Sequence, residues 1–354
     1  MTPPSHLRRF GATRPPSRVR RVGATSAALI VCAAIAFAAC RRSTPPYALS
    51  DPEYWSLIES VSEPAGSFTL SDNIVSNEPR FAEAIKWLSP TGGVYIGVGP
   101  EQNFSYIAAL RPDLAFIVDI RRENLDLHLL YKALFELSND RADFVSRLFS
   151  RPRPAGLDAT IGVDTLFDAF DRVAPTSADY DRNIAAIRQR LLTTRSLPLP
   201  QSDLDRIDLT FRVFFTAGPL VDYYGSSAVD AVRPSYKQLM TSKDFAGASQ
   251  SFLAAEDRFQ FVKSLHTRNL IVPVVGDFGG PKAFRAIGSY VRERGDVVRS
   301  IYASNVAVYL STQQALAFCG NLAALPAPSA SWFLEMNRMR TLGEKLRSCS
   351  ANQR

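Results

Sequence analysis

The sequence predicts an α/β fold with a mostly parallel sheet, helices on both faces and a large helical insertion, after an N-terminal signal segment. The first observation is a pair of short apolar runs, residues 94–98 and 114–118, whose β-branched residues are typical of strands buried on both faces. The second is the glycine turn and helix between them, which completes a βαβ unit with parallel strands. The third is a second unit of this kind over residues 270–302.

Apolar residues at regular spacing and turn residues predict the helices and strands that precede the helical insertion. Trp55 and Ile58 recur at helical spacing, which predicts a helix over residues 52–62. Pro79 suits the first turn of a helix that ends near residue 88. The next predicted elements are a strand over 94–98, a helix over 102–110, a strand over 114–118 ending at Asp119, and a helix over 123–137.

Residues 139–268 show mostly helical stripes, which predicts a helical insertion or cap. Strand character returns at residues 270–275, where Pro273 requires a bulge or an edge position. A helix over residues 282–294 and a strand over residues 297–302 complete the second unit. We expect helices over 307–318 and 332–346, a Rossmann-like domain over 52–324 and a C-terminal helical tail over 325–354.

Residues 1–40 have the composition of a targeting segment. Residues 27–39 form an uncharged apolar run that suits a signal-peptide core and is too short to span a bilayer comfortably. Residues 37–40 resemble the lipobox of bacterial lipoproteins, which predicts cleavage, lipidation of Cys40 and a lipid-anchored protein that faces the periplasm. Residues 41–51 then form a tether. Two alternatives stay open: an uncleaved anchor, or a mis-assigned start codon ahead of a cytoplasmic protein.

The net charge of +7 belongs to this leader and not to the body of the chain. Residues 1–42 hold eight arginines and no acidic residue, so 33 basic and 34 acidic residues remain. A body with almost no net charge lacks the basic surplus that nucleic-acid binding requires, and we expect no nucleic-acid partner. Hydrophobic residues at 46% and charged residues at 21% are ordinary for a globular protein and exclude a polytopic membrane protein.

The end of the first strand and the end of the second together predict a site for an adenosine moiety. Gly97 and Gly99 allow the backbone to approach a ligand, and the following helix offers free amides. Asp119, twenty residues beyond Gly99, can accept hydrogen bonds from both ribose hydroxyls. The cofactor-binding candidates are Gly97, Gly99, Glu101, Asn103 and Asp119.

Gln102 stands where a dinucleotide fingerprint would have its third glycine. A pyrophosphate therefore has less room, which favours S-adenosylmethionine over a nicotinamide cofactor. The alternative is that the two glycines and Asp119 only form a turn and a strand end, with no cofactor.

Residues 97–99 and Asp119 resemble the first two motifs of class I S-adenosylmethionine-dependent methyltransferases. The chain is also similar, over roughly residues 52–311, to an uncharacterised bacterial family assigned a methyltransferase-like fold. This similarity rests on residues 71–73, 76–78, 95–103, 116–122, 274–278 and 302–306. The resemblance implies a Rossmann-like fold and S-adenosylmethionine as cofactor. Two departures are that no third methyltransferase strand is recognisable after Asp119 and that no Asn-Pro-Pro-Tyr tetrad follows residues 270–275.

Three polar residues that follow predicted strands are the catalytic candidates, because open α/β sheets place ligands at this edge. Asp277, Ser304 and Asn305 would orient a nucleophile. Asp277 has an alternative role as a turn carboxylate that caps the helix near Lys282.

Asp72, Asn77 and Glu78 precede the first strand and could fold over the cofactor. The alternative for Asn77 and Glu78 is a helix cap.

The histidines and cysteines of the sequence do not have the spacing of a metal-binding site. His128 lies in an apolar helix and is expected in the core, and His266 ends a helix, where a cation suits the dipole. Neither has neighbours at metal-binding spacing, so no metal is expected. Cys319 and Cys349 could pair in a disulfide or remain two unrelated thiols.

The motifs of several enzyme classes are absent. No Gly-x-Ser-x-Gly, His-Glu-x-x-His or Gly-x-x-x-x-Gly-Lys-Ser/Thr sequence occurs, which argues against a typical hydrolase, zinc protease or P-loop NTPase. The sequence therefore leaves two functions open for an envelope lipoprotein. One is methyl transfer from S-adenosylmethionine to an unidentified substrate. The other is a non-catalytic module that binds a small molecule or a protein.

Overall fold

A computed structural model describes residues 47–67, 73–225, 233–336 and 338–351. The predicted signal segment, Cys40, residues 41–46 of the tether and Asp72 lie outside the described residues. Among the helices that are described, none combines the length and the apolar character needed to cross a bilayer.

A six-stranded sheet in the order β3-β2-β1-β4-β5-β6 forms the centre of the structure. All neighbouring strands pair in parallel except β5 and β6, which form an antiparallel pair. The strands are β1 (Val94–Gly97), β2 (Leu114–Asp119), β3 (Ile271–Val275), β4 (Val298–Ser304), β5 (Trp332–Glu335) and β6 (Arg338–Thr341). The predicted α/β class with a mostly parallel sheet is confirmed.

Thirteen α-helices are described in residues 47–67, 73–225, 233–336 and 338–351. They are α1 (Asp51–Val61), α2 (Phe81–Ile85), α3 (Gln102–Leu110), α4 (Arg122–Leu137), α5 (Arg141–Leu148), α6 (Val163–Asp171), α7 (Ser177–Arg188), α8 (Gln201–Ala217), α9 (Tyr236–Met240), α10 (Glu256–Thr267), α11 (Ala283–Glu293), α12 (Thr312–Ala324) and α13 (Leu342–Ala351).

Burial explains why the first three strands are almost entirely apolar. Every residue of β1, β2 and β3 is buried, as in a parallel sheet covered on both faces. Pro273 pairs with Ile117 in β3, which lies at the edge of the sheet, so the missing amide hydrogen is tolerated. The predicted edge position of this proline is confirmed.

The helical insertion between β2 and β3 shares its core with the sheet domain. Helices α5 to α10 occupy residues 141–267, close to the predicted bounds. The ring of Phe104 on α3 packs edge-on against Phe135 of α4 and Phe252 of the insertion, with ring centroids 5.2 and 5.5 Å apart. The insertion is therefore packed into the domain through aromatic side chains.

The prediction of a helix over residues 332–346 is wrong for most of the part before Leu342. Residues 332–335 form β5, residues 338–341 form β6, and α13 begins only at Leu342. Phe333 pairs with Ile301 of β4 and is buried, so its apolar run extends the sheet. Because a short apolar run fits a buried strand as well as a buried helix, periodicity alone did not separate the two.

A disulfide joins Cys319 of α12 to Cys349 of α13, with the two Cα atoms 6.0 Å apart. The sequence left this pairing open against two unrelated thiols. The bond ties the last helix to the element that precedes β5.

Candidate functional site

A cavity of about 340 Å³ lies at the carboxyl edge of the sheet, and we call it the edge cavity. Residues that follow β1, β2, β3 and β4 line it together with the segment that precedes α2. The strand order reverses between β1 and β4, which is the point where open α/β sheets bind ligands. Polar and aromatic lining residues include Asn73, Ser76, Asn77, Glu78, Asp119, Arg121, Tyr223, Asp277, Tyr302, Ser304, Asn305 and Tyr309.

The glycine turn after β1 contributes Gly99 to the edge cavity, whereas Gly97 and Asn103 hold the turn itself. A Cβ atom on Gly97 would overlap with Asn103 Oδ1 and would lie 2.8 Å from Tyr95 Oη. Asn103 Nδ2 donates to the carbonyl oxygens of Val98, Gly99 and Pro100, at 2.7 to 3.1 Å. Gly99 has a φ of +76°, and a Cβ atom built on it would meet no other atom within 4 Å. Because Gly99 also lines the edge cavity, a ligand has room beside this residue.

Asp119 ends β2 at the edge cavity, where its carboxylate is paired with Arg121. Nε and Nη2 of Arg121 donate to Oδ1 and Oδ2 of Asp119, both at 3.0 Å, and the backbone amide of Arg121 also donates to Oδ1. Burial disfavours the charged guanidinium, yet the carboxylate outweighs it and the pKa of Arg121 is raised. A ribose diol at Asp119 would compete with this ion pair.

Glu101 lies behind the turn and is fully buried. Its carboxyl oxygens both accept from the backbone amide of Ser76, at 3.2 Å. Burial raises the pKa of Glu101 from 4.5 to about 8, so the carboxyl is largely protonated at neutral pH. Glu101 therefore supports the segment before α2 from within the core.

Glu78 carries the buried carboxyl of the edge cavity. Ser304 Oγ donates to Oε1 of Glu78, and Gln102 Nε2 donates to Oε2 at 3.1 Å. Gln102 Nε2 also donates to Tyr302 Oη at 3.1 Å. Burial raises the pKa of Glu78 above its ordinary value. Residues of α3 and β4 thus hold one carboxyl group at the cavity wall.

The helix-cap alternatives for the cavity residues are not realised. α2 begins after Arg80 without a side-chain cap, and Asn77 and Glu78 line the edge cavity. Glu63 accepts from the backbone amides of Lys282 and Ala283 at 2.7 Å and thereby caps α11.

Asp277 closes its own loop. It accepts from the backbone amide of Gly279 at 2.8 Å and from Gln314 Nε2 at 3.3 Å. The catalytic candidates Asp277, Ser304 and Asn305 all line the edge cavity.

Both described histidines are buried, at 1% exposure. His128 Nε2 lies 2.9 Å from the carbonyl oxygen of Gly99, and burial lowers the pKa of His128 to about 4. Burial also lowers the pKa of His266 well below its ordinary value, which favours the neutral imidazole. The prediction of a cationic His266 at the end of α10 is therefore wrong. Within the part of the chain that the structure describes, no cluster of His, Cys, Asp or Glu is arranged to hold a metal ion.

Sequence reasoning missed Arg121 and Tyr302 at this site. Arg121 follows Asp119 by two residues in a strand-end loop, a position from which a guanidinium can turn back to the carboxylate. Tyr302 precedes Ser304 by two residues at the end of β4, and both residues line the edge cavity. Spacing could have indicated both.

A family model described as a domain of unknown function (DUF7790) matches residues 73–196 and 200–348. The chain belongs to this family. The matched ranges include all six strands and most of the edge cavity. No curated protein matches the chain.

Proposed function

We propose that this DUF7790 protein binds a small polar molecule in the edge cavity. The position of the cavity carries the proposal, because it lies where the strand order reverses and outside the carboxyl ends of four parallel strands. Its volume of about 340 Å³ lies in the range of small-molecule sites.

The lining favours a polar ligand with a planar group. Asp119, Arg121 and Glu78 place charged or protonatable groups in the wall. The ring of Tyr223 offers a surface on which a planar group can stack.

S-adenosylmethionine is the ligand that we propose first, with methyl transfer as the corresponding activity. The room beside Gly99 and the carboxylate of Asp119 support it. The pairing of Asp119 with Arg121 opposes it, because a ribose diol needs acceptor positions that Arg121 now occupies. This pairing favours the second candidate function, a non-catalytic module that binds a different small molecule or a protein.

Titration calorimetry on the full-length chain with S-adenosylmethionine and S-adenosylhomocysteine separates the two candidates. If Asp119 holds the ribose, Asp119→Asn should weaken binding by about 1.5 to 3 kcal/mol, the value for a lost charged hydrogen bond. Arg121→Gln should tighten binding, because it releases the carboxylate. Arg172→Gln, at an exposed arginine, is the matched control and should leave the affinity unchanged.

Two results would contradict the nucleoside assignment. One is no heat and no thermal shift with either compound at millimolar concentration. The other is weaker binding in Arg121→Gln, which would show that the guanidinium itself holds the ligand. Circular dichroism of each variant excludes a folding defect.

We also propose that the chain is an envelope lipoprotein, anchored through Cys40 and facing the periplasm. Because S-adenosylmethionine is made in the cytoplasm, this location favours the non-catalytic candidate over methyl transfer. The apolar run before Cys40 supports the lipoprotein proposal. The Cys319–Cys349 disulfide also supports it, since such bonds persist in oxidising compartments.

Palmitate labelling of the full-length chain in a bacterial host tests the anchor. Wild type and Cys32→Ala, the matched control for a leader cysteine, should incorporate label and lose the leader. Cys40→Ala should remain an unlabelled precursor of higher mass. Mass spectrometry that finds wild type intact from Met1 would end this proposal.

A further inference from the structure

We propose that Ser304 is a nucleophile, activated by Glu78, that accepts the acyl group of a small ester bound in the edge cavity. The inference rests on the proposed binding of a small molecule in this cavity, and it adds a reaction to it. Three features of the structure support it independently.

The first feature is the hydrogen bond from Ser304 Oγ to Glu78 Oε1. A serine hydroxyl that can donate to a carboxylate is placed for base activation, because the carboxylate can take the hydroxyl proton. Glu78 is 3% exposed, and burial raises the pKa of its carboxyl, which makes the ionised form a stronger base.

The second feature is the set of hydrogen bonds that orients the Glu78 carboxyl, which is the proposed base. Gln102 Nε2 donates to Glu78 Oε2, and Ser76 Oγ donates to Gln102 Oε1. Gln102 Nε2 also donates to Tyr302 Oη at 3.1 Å, which ties the third group to β4. Nucleophile, base and a third orienting group form the arrangement found in enzymes with activated nucleophiles.

The third feature is the strained backbone at the serine. Ser304 has a φ of +46°, in the left-handed region that non-glycine residues seldom adopt. The register of β4 against β5 shifts between Tyr302 and Ser304, so the strand ends in an irregularity. Strain and bulges of this kind concentrate at functional sites. Ser304 itself lines the edge cavity.

The reaction balances without any further cofactor. Ser304 Oγ forms a bond to the acyl carbon while its proton passes to the Glu78 carboxylate. The bond from the acyl carbon to the alkoxy oxygen breaks, and the leaving alkoxide takes the proton from Glu78. Water then attacks the acyl carbon while Glu78 accepts one proton of the water. The bond from the acyl carbon to Ser304 Oγ breaks, Oγ takes that proton from Glu78, and the carboxylic acid leaves. Asn305 lines the same cavity and carries an amide that can donate to the carbonyl oxygen as charge develops there.

A fluorophosphonate probe on the full-length chain tests this proposal. We expect a covalent adduct at Ser304, located by peptide mass spectrometry, and none in Ser304→Ala. Glu78→Gln keeps the shape of the side chain without a base and should slow labelling by about 100-fold or more. Ser56→Ala, at an exposed serine of α1, is the control and should label like wild type. Hydrolysis of p-nitrophenyl acetate should follow the same order among the four proteins.

Folded protein that gains no adduct would overturn the proposal, and so would an adduct at another cavity serine such as Ser67 or Ser76. A structural role for Ser304 would give no adduct, so labelling separates the two roles even if Glu78→Gln folds poorly. Binding of S-adenosylmethionine without labelling refutes the acylation step alone. Labelling without such binding refutes the nucleoside assignment alone.

Discussion

Replacement of Glu101 by glutamine should stabilise the folded protein at pH 7 and above and have little effect near pH 4.5. The pKa of this buried carboxyl is about 8 in the folded chain, against 4.5 as its ordinary value. Between these values the folded state keeps a proton that the unfolded state has released, so the stability from this group falls as pH rises. By pH 7 the loss is on the order of 3 kcal/mol, at about 1.4 kcal/mol per pH unit. A glutamine side chain at this position would carry no such penalty and could still accept from the Ser76 amide.

Urea unfolding at pH 5, 6, 7 and 8 measures this effect as the difference between variant and wild type. The difference should grow steadily in favour of Glu101→Gln across the series. Taking the difference cancels the contributions of other buried carboxyls such as Glu78 and Asp126, whose pKa values are also raised. Glu59→Gln on the exposed side of α1 controls for the loss of one carboxyl. A constant difference for Glu101→Gln would show that the folded chain ionises this group at an ordinary pH.

The strands near the glycine turn could be predicted because their sequence signals are local and agree with one another. β1 and β2 are apolar runs bounded by turn residues, and their burial on both faces follows from that composition. The C-terminal hairpin could not be predicted in the same way. Phe333 is buried only because β4 lies beside it, and nothing in residues 332–341 specifies that neighbour.

The position of the site could be predicted, but not its hydrogen bonds. Strand ends in a parallel sheet meet at one edge, so Asp119, Asp277 and Ser304 come together for topological reasons. The partner of each side chain depends on distances that spacing does not give. Arg121 pairs with Asp119, and Glu78 accepts from a serine 226 residues away in the chain. The carboxyl and hydroxyl groups of the site are thus visible in the sequence, while their roles depend on the tertiary structure.

Gly97→Ala should be strongly destabilising, whereas Gly99→Ala should leave the chain folded. An added Cβ on Gly97 would displace Asn103, whose amide satisfies the carbonyl oxygens of Val98, Gly99 and Pro100. Overpacking and unsatisfied buried groups together should cost about 3 to 5 kcal/mol. At Gly99 the added methyl group meets open space, and the φ of +76° costs about 1 to 2 kcal/mol.

Urea unfolding of the two variants, with Asn103→Ala and the Gly97→Ala/Asn103→Ala double variant, tests this difference. The double variant should lose less free energy than the two single variants combined, because its overlap with the Asn103 amide is gone. Rescue should be partial, since Tyr95 Oη would still lie 2.8 Å from the new methyl group. If the losses of unfolding free energy from the two single variants simply add in the double variant, the destabilisation by Gly97→Ala does not come from its contact with Asn103. Gly99→Ala directs its methyl group into the edge cavity, so it should weaken ligand binding while the protein stays folded. Gly97 does not line the cavity, so any effect of Gly97→Ala on binding should follow from the loss of stability.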